Sequence, residues 1–424
     1  MAGDGGGGAQ EVVIVGGGIA GLATAVALRR VGVARGVVVL ERHPELRATG
    51  AALSVFPNGW FALRALGVDH KLASRYDTYD TYVVGVRAVD RKSLLEALAE
   101  ELPPGTIRFS SKLVSIHTEA AAASTSSSQT TTVVLRLSDG SVIRTKVLIG
   151  CDGVHSVVAR WLGLSEPASC GRSAVRGLSV YPTGHGLKAE LRQFLSEGLR
   201  AGWMPVTRTL VYWFLANNTV PAEAEAAGDP AKTLREVTEN LARHMPSEYL
   251  DVVRHADLGN LSWSPLLYRN PLDVLTGNAA WGSVTVAGDA YHPMTPDMGQ
   301  GGCTALEDAV VLARALSTAA TPAEGVAAYV AERRRRAAWI VAGAYLSGWV
   351  QQGGTNVHGV RGYMVKLLRD RVFYRFVYPR LADTMWYNCG DLKVQRKKEA
   401  QNRNVMYGEP TKKLDCSTFH RSSL

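Results

Sequence analysis

One stretch near the start of the chain leaves few folds open. Residues 11–15, EVVIV, form a short β-branched run, and GGGIAGLATAVALRRVG follows without a break. Within it Ile19, Leu22, Ala23, Val26 and Ala27 recur at the spacing of a helix that buries one face. A second apolar run, GVVVLER, closes the unit at Glu41. Strand, turn, helix and strand at this length predict a β-α-β crossover in a parallel sheet. Gly16, Gly18 and Gly21 make a G-x-G-x-x-G where strand meets helix. Glycines there permit a tight turn and let amides at a helix N-terminus face a pyrophosphate. Glu41 stands 20 positions past Gly21, where a carboxylate accepts ribose hydroxyls. The unit predicts a dinucleotide with an ADP-ribose half, and it serves NAD and FAD equally.

A second stretch separates the two. VTVAGDAYHPMTPDMGQGG, residues 284–302, ends an apolar run in Gly288–Asp289 and then packs in histidine, prolines and three more glycines. The next helix is expected from about residue 303. NAD commonly needs one phosphate-binding turn; a longer molecule with a polyol linker and a tricyclic ring needs a second surface of close approach. Asp289 suits ribityl hydroxyls, and the amides around Gly299, Gly301 and Gly302 suit a phosphate or the carbonyl edge of a flavin. A third strand end, VLIGCDGVHSVVAR at 147–160, places Asp152–Gly153 before another apparent helix.

At 424 residues the chain is too long for one ordinary core, and two or three domains are expected. Residues 107–149 alternate as strands, with a low-complexity hairpin loop at 119–132 and a tight turn at Asp139–Gly140. Residues 172–216 are again strand-like, 231–256 are helical and more polar, and helices dominate from 303 to about 390. The run Arg333–Arg336 is expected on the solvated face of a helix whose other side carries Val326, Tyr329, Val330 and Ala337.

Charge and cysteines exclude several classes. Of the formal +9, residues 393–424 carry 8 − 3 = +5, a solvated tail rather than the basic face of a nucleic-acid binder. Five cysteines without a CxxC pair are neither a disulfide framework nor a zinc site, and they fit a reducing, cytoplasmic setting. No secretion or import signal is read at the N-terminus, and no apolar run of membrane-spanning length occurs. The terminal Ser-Ser-Leu is only weakly like the peroxisomal Ser-Lys-Leu. No Ser/His/Asp set, paired carboxylates or metal cluster is evident.

With GGGIAG…LER, GCDGVHSVVAR and GDAYHPMTPDMGQGGCTALEDAVVLA in this order, the chain resembles the single-component FAD-dependent aromatic monooxygenases. It looks most like the plant salicylate-hydroxylase-like group, related to zeaxanthin epoxidase and flavin-dependent urate hydroxylase. The resemblance implies an α/β fold of the p-hydroxybenzoate-hydroxylase kind. Its Rossmann-type FAD-binding domain would take residues 11–70, 89–170 and 272–325. An interleaved, mainly-β substrate domain would take 71–88 and 171–271, followed by C-terminal helices at 326–392. Residues 1–10 would be disordered and 393–424 a basic tail.

The resemblance also implies roles. Gly16, Gly18 and Gly21, with Ile19 and Ala20 between them, would meet the pyrophosphate; Glu41 and Arg42 would hold the adenosine ribose. Arg91 would lie near the FAD, Val114 would give adenine a backbone contact, and Asp152 would serve both FAD and NAD(P)H. Asp289 would bind the ribityl chain, and Pro296, Gly299, Gln300, Gly301 and Gly302 would flank the isoalloxazine. Pro296 would sit by the reactive carbon, with His292 a proton relay or a loop-structuring residue. Arg200 and Tyr212, and more weakly Arg176, would contact substrate. The implied reaction is hydroxylation of a small aromatic or heteroaromatic compound with NAD(P)H and O2, through a flavin C4a-hydroperoxide. Two readings stay open beside it: a flavin epoxidase or oxygenase acting on a terpenoid or alicyclic compound, and a non-catalytic FAD-binding redox sensor.

Overall fold

The opening strand, Gln10–Val15, lies inside a parallel ladder, with Val13 opposite Val38 on one side and Leu148 on the other. This is the structure of the chain as a computed structural model, which describes residues 10–393 except 34–35, 47–51, 80–82, 121–130, 197, 219–227, 352–362, 365–366 and 368. The expected disordered N-terminus, most of the low-complexity loop and nearly all of the basic tail lie outside the described residues.

Val12 to Val15 are β-branched and buried on both faces, as strands of a covered parallel sheet must be. The full sheet has eight strands. Its main path runs Ala280–Trp281, Val284–Val286, Val142–Gly150, Gln10–Val15, Val37–Leu40 and Ile107–Arg108, and the hairpin Leu113–Ala120 with Thr131–Leu137 joins beside Val142–Gly150. The expected crossover helix is Ile19–Val31, buried almost throughout, packed between this sheet and the helix Gly301–Thr318. Removing one of its core side chains, such as Leu22, costs about 2–5 kcal/mol.

A second, antiparallel sheet has five strands in the order Arg192–Ser196, Leu199–Thr207, Leu210–Asn217, Ala168–Val180 and Ser262–Tyr268. Its period of two gives it two different faces. Val175, Trp203, Val211, Trp213 and Leu215 point one way and form a core with Val237, Tyr249, Val252 and Val253. Ala174, Arg176, Arg200, Tyr212 and Phe214 point the other way, toward the first sheet. A short pair, Ala52–Val55 with Arg87–Asp90, lies between. The boundaries expected at 88/89 and 170/171 fall inside strands, and the one at 325/326 falls inside the helix Pro322–Gln351.

The helix Gly301–Thr318 starts two residues before the expected position, so Gly301 and Gly302 belong to its first turn. It buries two adjacent acids, Glu307 and Asp308, which must be neutralised where they lie. The long helix Pro322–Gln351 supplies the cations. Arg333 Nε donates to Asp308 Oδ1 at 2.7 Å and its Nη1 lies 2.6 Å from Glu307 Oε2, while Arg336 grips Glu307 with two donors at 2.6 and 2.7 Å. The expectation of a solvated arginine run is therefore corrected. Arg335 is exposed, but Arg333 has no exposure at all and Arg336 is engaged, because the neighbouring helix presents buried carboxylates.

Burial pushes these carboxyls up, and the facing cations more than reverse it. His292 and Arg333 hold Asp308 at about 2, and Arg333 and Arg336 hold Glu307 below its usual value. A folded value below the unfolded one of ~3.9 gives stability that is complete above about pH 4 and disappears as pH falls toward 2, on the order of 2 kcal/mol for one such group. Urea unfolding should show a level stability near neutrality and a steep loss below about pH 4; a profile still flat at pH 2.5 would contradict the network. At neutral pH, Arg333→Met should lower stability by about 3–5 kcal/mol, since it strands buried charge.

Candidate functional site

The carboxyl ends of the parallel strands and the inward face of the second sheet enclose a cleft of about 880 Å³. Ligands of open α/β sheets bind at such strand ends. Here the ends are Val15, Leu40 and Gly150, each followed at once by a turn that faces the cleft.

At one end lies the first glycine turn. Gly16 has φ +107, and a Cβ there would sit 2.3 Å from Cys151 O; a Cβ on Gly21 would sit 1.9 Å from Gly16 O. Gly21 therefore allows the helix to press against the turn, and it does not line the cleft. Gly16, Gly18, Ile19 and Ala20 do. Nothing stands within 4 Å of a Cβ on Gly18, so the backbone above the helix N-terminus is open to a ligand. Glu41 is nearly buried: Oε2 accepts from Gly17 N at 2.7 Å and Oε1 from His43 N at 2.9 Å. Those bonds fix its carboxylate at the cleft wall and leave acceptor capacity on both oxygens. Arg42 is exposed at the same end, its Nε donating to His43 at 3.2 Å. Val114 is 54% exposed and outside the lining; the wall is formed by Ser111, Lys112 and Leu113 instead, because strand alternation turns Val114 outward.

Midway, Asp152 faces the cleft, but its carboxylate caps the short helix after it. Ser156 Oγ donates to Oδ1 at 2.5 Å and Val157 N to Oδ2 at 2.7 Å, while burial raises its pKa. Arg91 opens the helix Arg91–Ala99 on the opposite wall. The neighbouring Asp90 is occupied by Ser93, accepting from its N at 3.1 Å and its Oγ at 3.2 Å.

Asp289 is enclosed by the fold yet exposed to the cleft, and burial raises its pKa against the pull of His292, Arg91 and Arg176. Among the described residues no hydrogen bond to its carboxylate is made. The turn carrying it is held from below by Asp308 Oδ2, which accepts Gly288 N at 2.8 Å and pairs with His292 Nε2 at 2.6 Å. His292 has no exposure and does not line the cleft. Its pairing with Asp308 fastens the loop to the helix beneath, an arrangement that suits a loop-structuring histidine. Gln300 is likewise buried below the wall, its Oε1 accepting from Asn58 Nδ2 at 2.8 Å.

The far end is formed by Pro296, Gly299, Gly301 and Gly302 against Arg176, Arg200 and Tyr212. Gly299 has φ +64, which ends the turn Pro296–Met298 without strain. Between Pro296 and Met298 sits Asp297, buried, in a bidentate pair with Arg172 at 2.8 and 3.1 Å and a third bond from Arg200 at 2.9 Å. Burial would raise its pKa, but the two arginines hold it below the usual range. Arg200 Nε also donates to Gln193 at 3.0 Å. Its donors are thus largely committed to the protein. Arg176, two strands over from Arg200 and opposite Phe214 on the strand between, has no hydrogen bond or ion pair among the described residues. Tyr212 is kept as a phenol by burial, and its hydroxyl has no protein partner among the described residues.

These residues fit FAD. One continuous cleft joins the glycine turn at 16–18 to the loop at 289–302, with open amides at one end, an unmatched carboxylate in the middle and a backbone-lined wall at the other. Residues missed from the sequence are Asp297, Arg172, Glu307 and Asp308. Asp297 and Arg172 lie 125 positions apart, so no local spacing signals the pair.

Comparison with known proteins agrees. Residues 9–344 match the FAD binding domain family. Monooxygenase 2 of Arabidopsis thaliana is 38% identical, over 90% of this chain and 98% of that protein. The FAD-dependent urate hydroxylase of Mycolicibacterium vanbaalenii is 30% identical, over 78% of this chain and 86% of that one. The solved structure of Klebsiella pneumoniae HpxO complexed with FAD and uric acid shares the fold, with a TM-score of 0.72 at 23% identity, over 89% and 96% of the two chains. The chain belongs to the family of FAD-dependent aromatic monooxygenases.

Retention of FAD tests the loop. Asp289→Ala should weaken FAD binding about tenfold, read by flavin fluorescence titration, with the melting of the apoprotein unchanged. Asp308→Asn should lower both, because it releases the turn and leaves buried cations unpaired. FAD affinity unaltered in Asp289→Ala would remove that residue from the contact.

Proposed function

We propose that the chain hydroxylates a small aromatic or heteroaromatic compound bearing an acidic group, with NAD(P)H as reductant. FAD would lie with its pyrophosphate over Gly16, Gly18 and Ile19, its ribose at Glu41, its ribityl chain at Asp289 and its ring along Pro296–Gly302. Bound and reduced, it would activate O2, one atom of which goes to the substrate while the other leaves as water. The chain binds and orients the substrate and excludes water.

The observation that carries this reading is the contrast between two arginines. Arg200 is ion-paired with Asp297, whereas Arg176 lines the cleft with no hydrogen bond or ion pair to any described residue and so has room for a ligand's charge. An anionic substituent of the substrate supplies that charge. It also keeps an adjacent phenol toward its ionised, electron-rich form, since a nearby cation lowers a phenol's pKa. Tyr212 donates a hydrogen bond that fixes the ring, and Met204 and Phe214 wall it in. A terpenoid would leave Arg176 and Tyr212 without partners in a desolvated site, which disfavours the epoxidase reading. A redox sensor would need neither group. Four free thiols among the described residues fit a cytoplasmic setting, and no described helix is long and apolar enough to cross a membrane.

The test is a panel of hydroxybenzoates, indoles and purines under labelled O2, scored by label in the product. Arg176→Gln should raise KM for anionic members about tenfold or more and leave neutral analogues within a factor of two. Equal effects on charged and neutral members would show that Arg176 is an ordinary wall residue.

A further inference from the structure

A second groove, of about 560 Å³, opens directly off the cleft. His43 lines both. The same face of strand Ala168–Val180 carries Ala174 and Arg176 into the cleft and Leu178 and Val180 into the groove. Strand Leu210–Asn217 does likewise, with Tyr212 in the cleft and Leu210 in the groove. On the opposite wall Arg91 faces the cleft, while Asp90 and Lys92 on either side of it face the groove. Val180 and Arg176 are four residues apart, or roughly 13 Å along a strand. A molecule lying in the groove therefore reaches the substrate end of the cleft without crossing protein.

The groove's chemistry is that of a dinucleotide site. Leu46, Leu178, Val180 and Leu210 form an apolar surface for a flat ring. Lys92 is well exposed and 3.9 Å from its nearest acid, Glu96, so its charge is available to a diphosphate. Asp257 and Asn260 also line it; Asp257 already accepts from Gly259 N and Asn260 Nδ2, and its remaining lone pairs and the Asn260 amide oxygen can accept from ribose hydroxyls. Among the described residues one G-x-G-x-x-G, at 16–21, follows a strand and opens a helix, and the FAD reading takes it, so the electron donor needs another surface.

We propose that this groove docks the nicotinamide donor, that its nicotinamide enters the cleft past Arg176, and that the donor is NADH rather than NADPH. The preference follows from charge. Glu45, Asp90 and Asp257 place three carboxylates around the groove against Lys92 and His43. A 2′-phosphate adds about two further negative charges there. The proposal rests on the FAD-dependent reading of the cleft.

The experiment titrates holoenzyme with the non-reducing tetrahydro analogues of NADH and NADPH, followed by calorimetry, with FAD content and melting temperature measured on every variant. Wild type should bind the NADH analogue more tightly. Lys92→Glu and Val180→Asp, both at exposed positions, should each weaken it about fivefold or more. Glu45→Lys should shift the preference toward the NADPH analogue by a similar factor. Full FAD content with analogue affinities unmoved in all three variants would overturn the proposal and leave the flavin reading intact. So would an equal loss of aromatic-substrate affinity without loss of the analogue, which would make the groove a substrate port. Protein that takes up no FAD would instead sink the reading beneath it.

Discussion

The carboxylate of Asp308 holds three parts of the molecule in one arrangement. One oxygen accepts Gly288 N and pairs with His292, and the other accepts from Arg333. It thereby joins the cofactor-facing turn, the helix Gly301–Thr318 and the long helix Pro322–Gln351. Gly288, Pro293, Pro296, Gly299 and Gly301 would by composition form a loose segment. Ions beneath it, fully withdrawn from water, make it stiff, because opening any one bond would leave a charge unpaired in a medium of low polarity. The loop's upper side can then be almost all backbone without becoming mobile.

A related pairing ties the loop to the second sheet. Asp297 belongs to the loop at the far end of the cleft, and both of its arginines come from the second sheet. The long helix meets the same pair at Gly348, where a Cβ would lie within van der Waals overlap of Asp297 Oδ2 and Arg172 Nη2. Cofactor wall, substrate wall and C-terminal helix thus converge on one buried ionic centre. A shift of any of them is felt by the others through rigid, charge-assisted bonds.

What the sequence revealed follows a physical division. Features set by local spacing were legible: the β-α-β unit with Gly16 and Gly18 at its turn, and the strand end before Asp289. Features set by partners distant in the chain were not. Arg333 looked solvated because its helix neighbours are polar, yet its partners Glu307 and Asp308 lie on another helix, 25 or more positions away. His292 stood in a functional motif, but its role was decided by Asp308. The proposal of Arg176 ahead of Arg200 as the substrate's partner rests on the same kind of distant pairing. Nothing near Arg200 in the sequence announces that Asp297, 97 positions on, neutralises it.

Net charge was a poor guide to function, and the fate of individual charges is a better one. The formal +9 sits largely in the tail and on the surface. Inside, Arg172, Arg200, Arg333 and Arg336 share three carboxylates, Asp297, Glu307 and Asp308, and they shape the site by pairing. Recognition is left to groups without such partners: Asp289 in the middle of the cleft, and Arg176 and Tyr212 at its end. An ionised or polar group that lines a cleft with no hydrogen bond or ion pair from the protein leaves its valences to a ligand. Asp289 faces hydroxyl donors and Arg176 an anion, and the two requirements differ in sign. Under the proposed function, Asp289 would meet the cofactor's hydroxyls and Arg176 the substrate's anion, so the two would stand on either side of the boundary between them.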